Sequence, residues 1–319
     1  MYKIAVIGAG QVGASIAYTL ALSGLAGEIS IIDINEQRAR GEALDISHGM
    51  PLCPPAKVAG GGYELLAGAD LTIMTAGVSQ ERGESRQALA GRNLKVMDAA
   101  ARQIAELAPE CILLVVTNPL DVITRAAIEL TGFPSRRVLG SGTTLDTLRL
   151  RAMLAEHTQL DPRNIHGFVL GEHGDSELAA WSSVSICGMS MDEYCRDCGQ
   201  CDWQLPARME AAFDSEVRRA AYRVIDMKGA TNHAIALAVR RIAQAILRDE
   251  HSILTVSSLL TGEYGISGVC LSLPCVIGRR GVERVIPVKL SPDEELTLRH
   301  SAEVIRAASA SPQYAGQGT

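Results

Sequence analysis

The sequence predicts an α/β protein, a doubly wound parallel sheet followed by a mixed α+β domain. Three observations predict it. As far as Gly140, short apolar runs alternate with helical patterns, the arrangement of strands and helices in a parallel sheet. The first of those runs ends in the turn Gly8-Ala9-Gly10-Gln11-Val12-Gly13. Beyond Val138-Leu139-Gly140 the alternation is lost and long helical stretches appear.

In order, Ile4 to Ile7 reads as a buried strand, the glycine turn follows, and Ser15 to Leu22 has helical spacing. Ile29 to Ile32 is a second strand ending on Asp33, twenty residues past Gly13. A glycine triplet is a weak signal alone. Between a strand and a helix, with an acidic residue at that distance, it marks a Rossmann dinucleotide site. Its glycines serve the sharp turn, the approach of backbone to pyrophosphate and the packing of helix on strand. Asp33 would accept from the adenosine ribose and repel a 2'-phosphate, and Ile34-Asn35 supplies no arginine to receive one, so the cofactor is expected to be NAD. Ala59-Gly60-Gly61-Gly62 is expected to form an exposed turn. Leu71 to Thr75 and Ile112 to Val116 are further strands around a helix from Leu94 to Leu107. Val138 to Gly140 closes this half, which sets the expected boundary: a Rossmann domain at 1–142 and a mixed α+β catalytic domain at 143–319. In the second half a long helix is expected near Gln204 to Arg248, a final one near Pro292 to Ala308, and a loose tail from Gln313 to Thr319.

Bulk properties narrow the function. With 319 residues, 47% of them hydrophobic, the chain can bury two cores. A formal net charge of -6 with interspersed signs offers no basic stripe for nucleic acid and no polybasic face for a membrane surface. No apolar run reaches the roughly 18 residues of a spanning helix, and Met1-Tyr2-Lys3 leads straight into a strand, so a cytoplasmic address is expected. Among eight cysteines, Cys53, Cys111, Cys187, Cys270 and Cys275 are scattered and read as free thiols. Cys195, Cys198 and Cys201 have a double C-x-x-C spacing, but a structural zinc site wants four ligands and no fourth follows at finger spacing. Surface thiols are the preferred reading and no metal is expected.

The segment from Leu145 to Asp175 carries the chemistry. Asp146 and Arg149 are three apart, and His173 follows inside Gly171-Glu172-His173-Gly174-Asp175. A carboxylate can fix and charge a histidine, the histidine can carry a proton, and an arginine can grip a substrate carboxylate with its planar fork. Three residues along a helix puts Asp146 and Arg149 on nearly one face, whereas Arg151, about 200 degrees from Arg149, must point away. The plainer readings are a helix N-terminal carboxylate for Asp146 and a surface arginine for Arg149.

These residues resemble one family, the L-lactate dehydrogenases of the lactate and malate dehydrogenase superfamily, from residue 1 to about residue 310. The landmarks are Gly8 to Gly13, Gly41-Glu42-Ala43-Leu44-Asp45, Thr75-Ala76-Gly77, Gly83-Glu84-Ser85-Arg86 and Thr117-Asn118-Pro119-Leu120-Asp121-Val122. Later ones are Gly140 to Asp146, Gly171 to Ser176, Lys228-Gly229-Ala230-Thr231 and Leu271-Ser272-Leu273-Pro274.

The resemblance implies NADH-dependent reduction of pyruvate to (S)-lactate, the last step of fermentative glycolysis, with His173 as proton donor and, in reverse, acceptor. It implies Asp146 as its partner and Arg149 as the carboxylate clamp. Arg86, in the mobile-looking stretch Ser79 to Gly91, matches a lid arginine that polarises the carbonyl, and Asn118 would hydrogen-bond the substrate oxygen. NAD would be bound by Gly8, Gly10, Gln11, Val12, Gly13, Asp33, Arg38, Thr75, Ala76, Gly77, Asn93, Thr117 and Asn118. Gln80 would face the substrate beyond its carbonyl. Malate enzymes carry an arginine there, and a neutral side chain favours the methyl group of pyruvate. Glu81 adds repulsion, while Arg82 could reach a dicarboxylate, so malate activity or a broader 2-hydroxy-acid range stays open. Thr231 completes the pocket wall, and Asn232-His233 stand where two aromatic residues are expected. In bacterial members a histidine seven residues before the catalytic one, here His166, and an arginine matching Arg151 bind fructose 1,6-bisphosphate across a subunit interface. Polar interface contacts are the alternative for this pair. The resemblance also implies a homotetramer. A nicotinamide-binding sensor would be free to lose His173, Asp146 or Arg149, and all three are present.

Overall fold

The computed structural model describes residues 1–78, 86–197 and 212–309. Six parallel strands form its first half: β1 Lys3–Ile7, β2 Glu28–Ile32, β3 Lys57–Gly61, β4 Leu71–Met74, β5 Ile112–Val115 and β6 Val138–Gly140. The helices between them are α1 Gln11–Ser23, α2 Glu36–Gly49, α3 Arg86–Leu107 and α4 Leu120–Thr131. Strands such as β4 and β5 are buried along their whole length because helices cover both faces. Ile16 and Leu20 of α1 pack on one face, and Met97 and Ile104 of α3 with Ile123 of α4 on the other.

The second half contributes α5 Thr144–Thr158, five two-residue strands (β7 Ile165–His166, β8 Val169–Leu170, β9 Leu178–Ala179, β10 Ser185–Ile186 and β11 Met189–Ser190) and α6 Met191–Asp197. Then come α7 Ala220–Lys228, α8 His233–Leu247, β12 Ser252–Thr261, β13 Ser267–Gly278, β14 Gly281–Val285 and α9 Pro292–Ser309. The three long strands do not form a separate sheet. They extend the first one in the order β14-β13-β12-β6-β5-β4-β1-β2-β3, with β12 antiparallel to β6 through Ser257 opposite Gly140. One strand order, 3-2-1-4-5-6, is therefore continued by an antiparallel meander, and the doubly wound fold with a mixed second half is as expected.

Three expectations change. Ala59 to Gly61 is no exposed turn but part of the edge strand β3, paired with Ser30 to Ile32. A Cβ on Gly60 would lie 2.1 Å from the Ala39 carbonyl oxygen, so the glycine lets α2 settle directly on the strand. The long helix near Gln204 to Arg248 is broken: a π-helical turn at Asp214–Arg218, then α7, then a stop at Gly229 with φ 84°, whose N–H caps the helix on the Ile225 carbonyl. Residues 204–211 lie outside the described residues. The helix expected from Leu94 already starts at Arg86, so the end of the stretch taken as mobile is helical; 79–85 lie outside the described residues, as does the tail from 310. Among the described residues no helix is long and apolar enough to cross a membrane. Cys53, Cys111, Cys187, Cys195, Cys270 and Cys275 are free thiols, and burial pushes the Cys275 thiol up to about 12; Cys198 and Cys201 lie outside the described residues.

Candidate active site

The carboxyl ends of the parallel strands face the two functional groups, and the cofactor end is made of backbone. Leaving β1, the chain turns at Gly8 with φ 108°, and a Cβ there would meet the Ala76 nitrogen at 2.7 Å. Gly13 is tighter still, with its Cβ position 1.8 Å from the Gly8 carbonyl oxygen, so α1 lies against the end of the strand. Thr75 locks the crossing by donating to the carbonyls of Ile7 at 2.9 Å and Gly8 at 3.2 Å. Gly10 differs: a Cβ there would touch nothing within 4 Å, and as N-cap of α1 it brings no side chain to the helix N–H groups. Those donors stand beside open space, the arrangement an anionic pyrophosphate fits. Gln11 is exposed and Val12 half-buried at the same helix start.

Asp33 follows β2, with Oδ2 accepting from the Ala9 N–H at 2.7 Å and Oδ1 from the Asn35 N–H at 2.9 Å, so it braces the glycine turn. Arg38 is exposed in the first turn of α2, where its N–H is capped by Asn35. Asn93 and Thr117 are buried and turned to the protein itself. Asn93 accepts from the Val78 N–H at 2.7 Å and donates to the carbonyls of Val78 and Asn118 at 3.2 and 2.7 Å; Thr117 donates to the Ala76 carbonyl at 2.8 Å. Both shape the loop that carries Ala76 and Gly77 against Asn118.

The acid–base end is made of side chains. Asp146, 1% exposed in the first turn of α5, accepts from Arg149 Nη1 at 2.8 Å and holds His173 Nδ1 at 2.6 Å. The helix period that puts Asp146 and Arg149 on one face is realised here. His173 arrives from the loop after β8, which is tied to β13 by paired hydrogen bonds between Gly171 and Ser272, each 3.0 Å. Its own N–H donates to Asp121 Oδ2 at 2.8 Å, and Asp121, at the start of α4, accepts from Ser257 at 2.6 Å.

Charge follows from that geometry. Burial alone works against an imidazolium, but the Asp146 carboxylate and its hydrogen bond, helped by Glu177 and Asp121, outweigh it and carry His173 up to about 9. Burial works against the Asp146 carboxylate too, and His173 and Arg149 overcome it, holding Asp146 below its ordinary value. Desolvation dominates at Asp121, which rises to about 6, and at Glu177, raised well above an ordinary glutamate. Asp121 and Glu177 were given no role from the sequence. Asp121 stood inside a family landmark, but nothing local reveals that it meets a loop 52 positions away. Glu177, four residues past His173, carried no signal beyond that nearness.

The remaining candidates lie around this core. Arg149 keeps guanidinium N–H donors beyond the one on Asp146. Asn118 is exposed at the mouth of the Thr117 loop. Thr231 sits in the break between α7 and α8, which Asn232 pins to α1 by donating to Ser15 Oγ at 2.7 Å. The position expected to be aromatic is thus a hydrogen-bonded tether. Arg151 points away from Arg149, donates to the Gly167 carbonyl at 3.4 Å beside the exposed His166, and its buried Nε lacks a partner. Gln80, Glu81 and Arg82 lie outside the described residues, as does the side chain of Arg86, which opens α3.

Two domain families match consecutively: lactate/malate dehydrogenase, NAD binding domain, over residues 2–140, and lactate/malate dehydrogenase, alpha/beta C-terminal domain, over residues 143–311. The chain belongs to the lactate/malate dehydrogenase family. Within it, the chain is 49% identical over 304 residues to an L-lactate dehydrogenase of Acetivibrio thermocellus, covering 95% of each. It is 50% identical over 308 residues to the L-lactate dehydrogenase of Thermoanaerobacter pseudethanolicus, covering 96% of this chain and 98% of the relative. Two solved family structures superpose closely. A lactate dehydrogenase from a Medee basin deep-sea metagenome library gives a TM-score of 0.92 at 35% identity over 97% of this chain and 98% of that one. The minor L-lactate dehydrogenase from Enterococcus mundtii gives 0.91 at 36% identity over 96% and 97%.

Proposed function

We propose that this chain is an NAD-dependent L-lactate dehydrogenase that reduces pyruvate to (S)-lactate, with His173 as the proton donor. The observation that carries the assignment of roles is the chain Arg149–Asp146–His173, in which a buried carboxylate keeps the imidazole charged at neutral pH. With Nδ1 held on Asp146, Nε2 is left to donate its proton to the carbonyl oxygen. NADH, when bound along Gly8 to Gly13 and Asp33, supplies the hydride to the carbonyl carbon. Arg149 uses its other N–H donors to fork the substrate carboxylate, Asn118 and Arg86 steady the oxygen as negative charge grows on it, and Thr231 walls the pocket. In lactate oxidation neutral His173 takes the hydroxyl proton back.

Gln80 selects pyruvate over oxaloacetate, because a second carboxylate would be desolvated there without a cation. We assign residues 1–142 to cofactor binding and 143–319 to substrate chemistry. The half-buried Arg151 with its unpartnered Nε, next to exposed His166, suits a fructose 1,6-bisphosphate effector bridging subunits of a homotetramer. A cytoplasmic enzyme would meet pyruvate where glycolysis forms it, which supports that address.

Following NADH oxidation with pyruvate and with oxaloacetate, each with and without the bisphosphate, tests this. The expected result is strong pyruvate preference, raised by the bisphosphate and not so in Arg151→Ala. Oxaloacetate preference would remove the role of Gln80, and indifference to the bisphosphate would remove the effector site and leave the catalysis.

A further inference from the structure

At the opposite pole of the sheet, where the parallel strands begin, lies a cavity of about 460 Å³, within the size range of small-molecule sites. Residues at or just before the starts of β1, β4, β5 and β6 line it: Tyr2, Asp70, Ile112 and Arg136. It is therefore separated from the glycine turn by the length of the five-residue strand β1, roughly 16 Å. Ala108, Ile246 and Leu247 give it apolar walls. Four arginines, Arg136, Arg137, Arg279 and Arg280, face two carboxylates, Asp70 and Glu110, in a chain whose net charge is negative.

Two of the arginines are already engaged. Arg137 donates to the Pro109 carbonyl at 2.8 Å, covers the Phe133 ring at 4.7 Å and pairs with Glu110 at 3.5 Å. Arg280 pairs with Glu283 at 3.3 Å. Arg136 and Arg279 are exposed at the rim, and neither guanidinium makes a side-chain hydrogen bond or a close ion pair among the described residues, although the Asp249 carboxylate is near enough to feel the Arg279 charge. Their nearness is built into the fold. The turn between β13 and β14 is held by Asp249 Oδ1, which accepts from the Arg279 N–H at 2.8 Å. At Gly281 a Cβ would lie 2.1 Å from the Arg136 carbonyl oxygen, so the turn is seated directly on that segment.

We propose that this cavity binds an organic phosphate, a small molecule with one phosphate group and a flat apolar part. The phosphate is forked by Arg136 and Arg279, and the apolar part lies against Tyr2, Ala108 and Leu247. Guanidinium forks that hold no carboxylate by hydrogen bonds match a phosphate dianion in geometry and charge, and the apolar walls exclude a bare inorganic ion as the best ligand.

Equilibrium dialysis of the full chain in saturating NADH, with 1-naphthyl phosphate, 1-naphthol and inorganic phosphate as probes, tests the proposal. The aryl phosphate is expected to bind at one equivalent per chain, more weakly as salt is added. Arg279→Ala should weaken it about tenfold and the pair Arg136→Ala with Arg279→Ala about a hundredfold, at unchanged unfolding temperature. Gly281→Ala, which forces the turn off Arg136, should weaken it as well, and Arg151→Ala should not. No binding by the unaltered chain, binding that survives the double substitution or is lost with Arg151, or an equal affinity for 1-naphthol or inorganic phosphate would each overturn it.

Discussion

The two ends of the catalytic cleft are built on opposite principles. Around Gly8 and Gly13 the structure depends on what is missing, because backbone passes where a Cβ would stand. Around His173 it depends on what is present, a run of side chains whose charges decide one another's protonation. The first end is sensitive above all to volume. The second tolerates little change of charge and is tuned by burial.

Removing the proposed proton carrier tests this contrast most severely. His173→Asn is expected to lower kcat for pyruvate reduction by about 10²- to 10⁴-fold with little change in NADH affinity; a comparable loss of cofactor binding would show the two ends to be one. Asp146→Asn should cost about 10²-fold and also move the pH profile. If reduction uses the imidazolium as proposed, the rate should fall as pH rises through the His173 value of about 9, and without the carboxylate this limb should slide toward the ordinary 6.5. An unmoved limb would mean that Asp146 only orients the ring.

Smaller effects belong to the glycine end. Gly13→Ala places its methyl 1.8 Å from the Gly8 oxygen, and the forced shift should raise the NADH KM about tenfold and destabilise the fold by about 1–3 kcal/mol, at nearly unchanged kcat. Asp33→Ser should leave pyruvate kinetics alone and narrow the preference for NADH over NADPH about tenfold, as read from kcat/KM with each. The last effect is thermodynamic and concerns the fold, not turnover. Because folding raises the His173 value from 6.5 to about 9, the stability it contributes is full below 6.5 and lost as pH rises toward about 9. The unfolding temperature should show that slope, and Asp146→Asn should flatten it.

The same contrast explains what was legible in the sequence. The glycine turn, Asp33 and the Asp146 to Arg149 spacing are local, set by a few consecutive residues or one helix period, and each was placed from the sequence. Asp121 and Glu177 act on His173 only because Gly171 pairs with Ser272 of β13 and brings distant segments together, which no local pattern encodes. Gly60 misled for a related reason: a glycine run reads as a turn until the helix resting on it is seen. The break at Gly229 was hidden by helical composition on both sides, and it lets Asn232 reach α1.

The antiparallel seam at Gly140 and Ser257 turns two consecutive segments into a single plate. A hinge between them would have to tear main-chain hydrogen bonds in the middle of a nine-stranded sheet. The halves should therefore melt in one calorimetric transition and share their slowest-exchanging amides across β5, β6 and β12. Cutting the chain after Gly142 would leave β6 as a bare hydrophobic edge, and that fragment should aggregate rather than survive as an independent nucleotide-binding unit.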